Sequence, residues 1–164
     1  MSFRDRTPSP AAMNFLTEIL SPGRTVCHAP GASKKRLFET IAHVISDDQP
    51  SLVYEEVLSL LNAREKLGST GLGQGIAIPH CRVEACPRPI GSLITLAQAI
   101  DFDAPDEQPV DLLFVLLVPG EAHQQHLDIL ANVARLFSQP DFCQQLRAAQ
   151  SSRALFELAI GQDL

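Results

Sequence analysis

The stretch "GLGQGIAIPHCRV" (residues 71–83) decides how this chain is read. Three glycines precede a short apolar run at 76–78, and the run ends on Pro79-His80. A glycine-rich loop invites a nucleotide reading, but the spacing is wrong. A P-loop needs a lysine and a Ser/Thr directly after its last glycine, and none follows here. The dinucleotide fingerprint sits on a strand-to-helix turn, where a helix N-terminus holds the pyrophosphate. Here the order is reversed, because residues 50–67 read as a helix and 76–78 as a strand. Ser69, Thr70 and the glycines Gly71, Gly73 and Gly75 instead gather backbone N–H groups and hydroxyls, which suits a concave anion-binding nest. The alternative is a connection whose positive φ angles glycine supplies cheaply.

Working outward, the pattern is helices, then strands, then helices. "AAMNFLTEIL" (11–20) reads as a short amphipathic helix and "RTVCHA" (24–29) as a strand. Gly31 and Ser33 open a helix, with Ser33 as its N-cap and Leu37, Phe38, Ile41, Ala42 and Ile45 on one face. Pro50-Ser51 begins the next, along which Val53, Val57, Leu60, Leu61 and Arg64 follow a 3–4 period. "GSLITLAQAI" (91–100) and "VDLLFVLLV" (110–118) are the strongest strand signals, joined by an acidic turn with two prolines. The second is almost wholly apolar and reads as a central strand buried on both faces. A long helix follows Pro119-Gly120, with Leu127, Leu130, Ala134 and Phe137 on its core face. Pro140 breaks it, and two amphipathic helices at 141–150 and 152–160 close the chain. The fold expected is α/β: a mixed β-sheet sandwiched between helix layers, one domain over 12–160 behind a flexible tail at 1–11.

Composition narrows the function classes. The chain has 164 residues, 45% hydrophobic and 20% charged, which suits one globular domain with a real core. The net charge of −6 lacks the basic stripe that nucleic acid binding needs. No apolar run approaches the ~18–20 residues of a membrane span. The N-terminus is charged and broken by Pro8 and Pro10, unlike a secretory signal, so the expectation is a cytoplasmic protein without membrane insertion. Cys27, Cys81, Cys86 and Cys143 are too few for a disulfide scaffold, and the C-x4-C pair beside His80 lacks the paired spacing of a zinc site.

His80 is the chemical candidate. A neutral imidazole is nucleophilic, and Pro79 fixes the backbone that presents it at a strand end. Beside donors for a tetrahedral anion, such a histidine suits phosphoryl transfer through phosphohistidine. His126 lies in the first turn of its helix, at the positive end of the helix dipole. His123 is one turn earlier, and the i, i+3 pair has a spacing that can bind metal or simply decorate a helix start. Arg64 can grip phosphate with two parallel N–H bonds, or merely complement a helix C-terminus.

"AREKLGSTGLGQGIAIPHC" (63–81) and "PVDLLFVLLVPGEAHQQHLDILANVARLF" (109–137) together resemble the type-2 (mannitol/fructose-like) enzyme IIA domain of the bacterial phosphotransferase system, most of all its stand-alone nitrogen-regulatory members. The likeness runs from about residue 16 to 158. It implies a phosphotransferase with a phosphohistidine intermediate: His80 as acceptor of phosphate from an HPr-like phosphocarrier, His126 donating a hydrogen bond to the phosphate, Arg64 stabilising it, and no cofactor or metal. Nitrogen-type members often carry glycine after the histidine, where this chain has Cys81, a thiol whose position raises redox sensitivity. With no fused domain after Leu164, the expected output is regulation of target proteins, transporters or kinases, by phosphorylation state. The alternatives are a sugar-specific IIA that hands phosphate to a IIB cysteine, and a binding protein that keeps the fold without turnover.

Overall fold

A computed structural model describes residues 14–30, 33–121 and 123–161. The expected tail at 1–11 and Gly31 lie outside the described residues. The sheet is built around β6 (Val110–Val118), and its pleat explains the layers. Leu113, Val115 and Leu117 pack into one hydrophobic cluster, while Leu112, Phe114, Leu116 and Val118 pack into the other. A strand apolar on both sides must be covered on both sides. The first cluster is roofed by α2 (Lys34–Asp48) and α3 (Tyr54–Leu67). The second is covered by α1 (Leu16–Ile19), α4 (His123–Leu136), α5 (Pro140–Ala148) and α6 (Ser152–Ile160). The expected α/β sandwich is therefore the fold observed.

The sheet order is β1-β5-β6-β3-β2, with β4 also on β6. β1 (Thr25–Ala29) runs parallel to β5 (Ile90–Ile100), and β5 pairs antiparallel with β6. On the other edge of β6 lie β3 (Ile76–Ala77) and then β4 (His80–Arg82), both parallel to it. They act as one strand interrupted at Ile78-Pro79. Pro79 has no N–H to give, yet its carbonyl still accepts from Leu116 N at 2.9 Å. The apolar run therefore does not end at the histidine: the ladder resumes there, with His80 opposite Leu116.

Helix signals fared well where caps and period agreed. Ser33 accepts from Arg36 N at 3.1 Å, and the five residues of the expected α2 face are all buried. α3 starts later than Pro50, because residues 49–52 first form a turn that buries Leu52. Pro140 is not a break ahead of α5 but its first residue, where a missing N–H costs nothing. The described part of the 11–20 helix is a single turn, 16–19.

The glycine stretch departs most from expectation. β2 (Gly71–Gly73) folds back on β3 through the two-residue turn Gln74-Gly75, making a hairpin rather than an open loop. Gln74 and Gly75 have φ of 58° and 83°, the left-handed pair that primed hairpin turns require. Gly71 serves a different need: a Cβ there would lie 2.8 Å from that of Ala104. Among the described residues, no helix is long and apolar enough to cross a membrane.

Gly91 occupies the row Gly91–Leu116–His80 across the sheet, and a Cβ on it would meet Phe114 Cζ at 2.4 Å. Gly91→Ala should cost about 1–3 kcal/mol of stability, as overpacked cores do, because the Phe114 ring is fully buried and has no room to retreat. Urea unfolding of the two proteins checks it; an unchanged midpoint contradicts it.

Candidate functional site

The pleat that sorts β6 also aims the histidine. Cys81 packs with α2 and α3, so His80, one residue before, projects to the opposite face. α4 lies there, and the rings of His80 and His126 meet edge-on, with centroids 5.7 Å apart and planes at 75°. Both ring nitrogens of His126 are buried. His80 Nδ1 lies 2.7 Å from the Ile78 carbonyl oxygen. A carbonyl only accepts, so Nδ1 carries the proton and Nε2 keeps its lone pair.

The half-buried imidazole lines a cavity of about 400 Å³. Arg64, Ser69, Thr70 and Gly71 line it on one side, Leu127, Leu130 and Ala134 on the other. The structure thus brings together His80, Arg64, Ser69, Thr70 and Gly71, with His126 against the His80 ring. Gly73 and Gly75 do not line this cavity. They belong to the far end of the hairpin, where Arg147 donates to the Gln74 carbonyl at 2.9 Å and Asp106 accepts from Gln74 N at 2.9 Å. His123 is the first residue of α4, and its side chain lies outside the described residues.

The expected nest of unshielded N–H groups needs correction. Thr70 N donates to Glu65 Oε2 at 3.0 Å, and Gly71 N donates to Ser69 Oγ at 3.1 Å. Thr70 Oγ1 donates to Glu65 Oε1 at 2.7 Å, so its hydroxyl is also engaged. Arg64 caps its own helix through a 2.9 Å bond from Nη1 to the Gly68 carbonyl while reaching the cavity. The expected core face of α4 needs correction at one position: Leu130 and Ala134 pack against the core cluster and Phe137, just past the helix, is fully buried in it, but Leu127 is 59% exposed. Leu127, Leu130 and Ala134 also line the cavity, so the apolar stripe borders both core and site.

Electrostatics favour a neutral imidazole at His80. Burial holds the His80 imidazole below its ordinary value of 6.5. The Ile78 bond pulls the other way, the Arg64 guanidinium lowers it further, and the Glu65 carboxylate opposes Arg64; the net effect is a lowering. The thiol beside it is another matter. Burial pushes Cys81 up to about 12, with Cys86 adding to the rise. Burial and protonation both work against the thiolate, so the redox sensitivity expected of its position beside His80 finds no support in its surroundings. Among the described residues, no group of three His, Cys, Asp or Glu is placed to hold a metal ion.

Sequence reasoning missed Glu65. The available signal was an acidic residue in the last turn of a helix, where the dipole disfavours it unless it is paired.

Comparison with known proteins follows the same lines. The family model for the phosphoenolpyruvate-dependent sugar phosphotransferase system, EIIA 2, matches residues 18–160. A nitrogen regulatory protein of Pseudomonas aeruginosa is 46% identical over 145 residues, which cover 88% of this chain and 94% of that one. The crystal structure of nitrogen regulatory protein IIA-Ntr from Neisseria meningitidis superposes with a TM-score of 0.82 at 40% identity, covering 89% of this chain and 99% of that one. A fructose-specific EIIA component of Haloferax volcanii is 33% identical over 126 residues, 77% of this chain and 82% of that one.

Two measurements check the electrostatics. An NMR titration should place the His80 midpoint below 6.5; a midpoint at or above that value contradicts the desolvation argument. Iodoacetamide at neutral pH should modify the half-buried Cys27 well before Cys81 in the folded protein, and fast loss of the Cys81 thiol contradicts its burial.

Proposed function

The chain belongs to the EIIA type-2 family of the phosphoenolpyruvate-dependent sugar phosphotransferase system, and on that premise we propose that His80 accepts a phosphoryl group from the phosphohistidine of an HPr-like carrier and that its phosphorylation state regulates target proteins, transporters or kinases. The observation that carries this reading is the His80 imidazole itself: neutral, its Nδ1 proton held by Ile78, lining a cavity that Arg64 also lines.

The chemistry balances simply. His80 Nε2 attacks phosphorus as the donor's N–P bond breaks, so one N–P bond replaces another and the donor imidazole leaves with its electron pair. The proton stays on Nδ1, hydrogen-bonded to the Ile78 carbonyl. There is little covalent work for the protein, and positioning and charge stabilisation carry the rate. Arg64 meets the phosphoryl oxygens with charge-assisted bonds. Ser69 gives Phe102 only a long 3.3 Å bond, so its hydroxyl is free to turn to an incoming oxygen. His126 donates a hydrogen bond from the α4 side. Leu72 and Leu127, 49% and 59% exposed on the cavity lining, form an apolar rim on which the carrier docks.

A second reading, a sugar-specific IIA that passes phosphate to a IIB cysteine, draws on the likeness to the fructose-specific relative. The regulatory reading draws on the higher identity to nitrogen regulatory proteins. Incubating the phosphoprotein with a IIB domain separates the two: transfer to its cysteine favours the sugar role.

With ³²P-labelled phosphocarrier, the protein should acquire an acid-labile, alkali-stable label that His80→Ala abolishes. Full labelling of that variant removes His80 as acceptor. Arg64→Ala should slow transfer by about a hundredfold, the loss typical of one donor to a developing anion, while the chain stays folded. Unchanged kinetics take Arg64 out of the site.

A further inference from the structure

Glu65 is placed where an anion should not be. It lies in the last turn of α3, against the helix dipole, and its side chain is only 8% exposed. Its bonds offset both costs. Oε2 accepts from Lys34 Nζ at 2.9 Å and from Thr70 N at 3.0 Å, and Oε1 accepts from Thr70 Oγ1 at 2.7 Å. Lys34 is itself fixed, donating to the Phe102 carbonyl at 2.9 Å with its ammonium 4.3 Å from the Phe102 ring centroid.

The path does not stop at Thr70. Its carbonyl accepts from Ile78 N at 3.0 Å, across the hairpin. The Ile78 carbonyl in turn accepts from His80 Nδ1 at 2.7 Å. Lys34, Glu65, Thr70, Ile78 and His80 are therefore linked residue to residue by hydrogen bonds, from the start of α2 to the imidazole. We propose that Glu65 is a positioning residue for phosphoryl transfer: anchored by Lys34, it holds Thr70 so that the Thr70 and Ile78 peptides fix the orientation and tautomer of His80. This rests on the reading of His80 as the acceptor.

The physical case is specific. A carboxylate that holds Thr70 sets its carbonyl for Ile78 N and so the Ile78 carbonyl for Nδ1–H, while its charge opposes that of Arg64 at the ring. The same grip sets the segment that carries Ser69 and Gly71. Removing the carboxylate orphans the N–H and hydroxyl of a buried threonine, and the turn shifts to find partners. A small shift at the reacting nitrogen is costly, since in-line attack tolerates little misplacement. Three titratable groups act on the His80 ring: Arg64 and Glu65 from α3, and His126 from α4. The β6 residue opposite it, Leu116, is apolar.

The test compares wild type, Glu65→Ala, Glu65→Gln and His80→Ala, with a ³²P-labelled HPr-like phosphocarrier as donor. Glu65→Ala should lower kcat about tenfold to a hundredfold, with KM for the carrier within about twofold of wild type. Glu65→Gln keeps a carbonyl oxygen for the Thr70 N–H and an amide N–H for the Thr70 hydroxyl oxygen, so it should restore most of kcat. Having lost the negative charge that opposes Arg64, it should move the NMR midpoint of His80 further down. A wild-type kcat in Glu65→Ala, or a raised KM with kcat intact, overturns the proposal. If Glu65→Ala does not fold, Glu65→Gln decides: a His80 midpoint that stays in place overturns it equally. Labelling of His80→Ala is a separate failure, of the acceptor assignment and not of Glu65.

Discussion

Both faces of β6 must be kept from water, and the rest of the molecule follows from that requirement. Helices on each side cover residues 112–118, which divide alternately between two cores. The strands beside β6 are bound to its register, so the pleat that puts Cys81 into the α2/α3 core puts His80 under α4. A one-residue slip would bury the imidazole among aliphatic side chains and expose the thiol. Pro79 interrupts the ladder just where the chain must release Ile78 to pair with the glycine hairpin. It thereby leaves the Ile78 carbonyl for His80 and keeps its own carbonyl for Leu116.

That arrangement sets the electrical balance of the imidazole. Burial alone disfavours imidazolium, and Arg64 adds to the effect. An unopposed guanidinium beside a half-buried ring would make the nitrogen a poorer nucleophile. The Ile78 carbonyl and Glu65 pull in the other direction. On the proposed reading, the site so combines a cation for phosphoryl oxygens with a ring that remains basic enough to attack. Cys81, a single residue away, is pushed the other way by burial, with Cys86 adding to the rise. Side-chain direction, more than sequence distance, decides which of these neighbours takes part in chemistry.

Much of this was legible in the sequence, and the failures have physical causes. Ser33 and the Leu37–Ile45 face mark α2 because cap and period agree, and β6 betrays itself by continuous apolarity. The type-2 IIA likeness pointed to Arg64 and His80 at 63–81 and to His126 at 109–137, which the fold does bring together around the cavity and its ring contact. The hairpin at 71–77 was hidden because Gln74, unlike asparagine, rarely adopts a left-handed φ. Here Asp106 and Arg147 hold both sides of the Gln74 peptide, a tertiary grip that no local pattern announces. Glu65 left only the faint signal of an acid in a last helical turn, because its partners are Lys34 in another helix and Thr70 beyond the helix end. Leu127, Leu130 and Ala134 carry the period of a buried face, yet period alone does not distinguish a core from a docking rim.

That last ambiguity bears on how such a site works. A helix stripe sealed into the core would leave the imidazole nothing to meet, whereas a stripe exposed at Leu127 leaves the cavity walled by apolar groups and open at its rim. On the proposed reading, the missing wall is the carrier. Docking on Leu72 and Leu127 expels water from around both imidazoles at the moment of transfer, which strengthens each bond from Arg64 and Ser69 to the moving phosphoryl group. Once phosphate stays behind, the same rim surrounds a group carrying close to two negative charges. A partner surface that matched the neutral rim then faces an anion. The apolar stripe and the histidine therefore operate as a unit: one selects for contact, the other changes what contact costs.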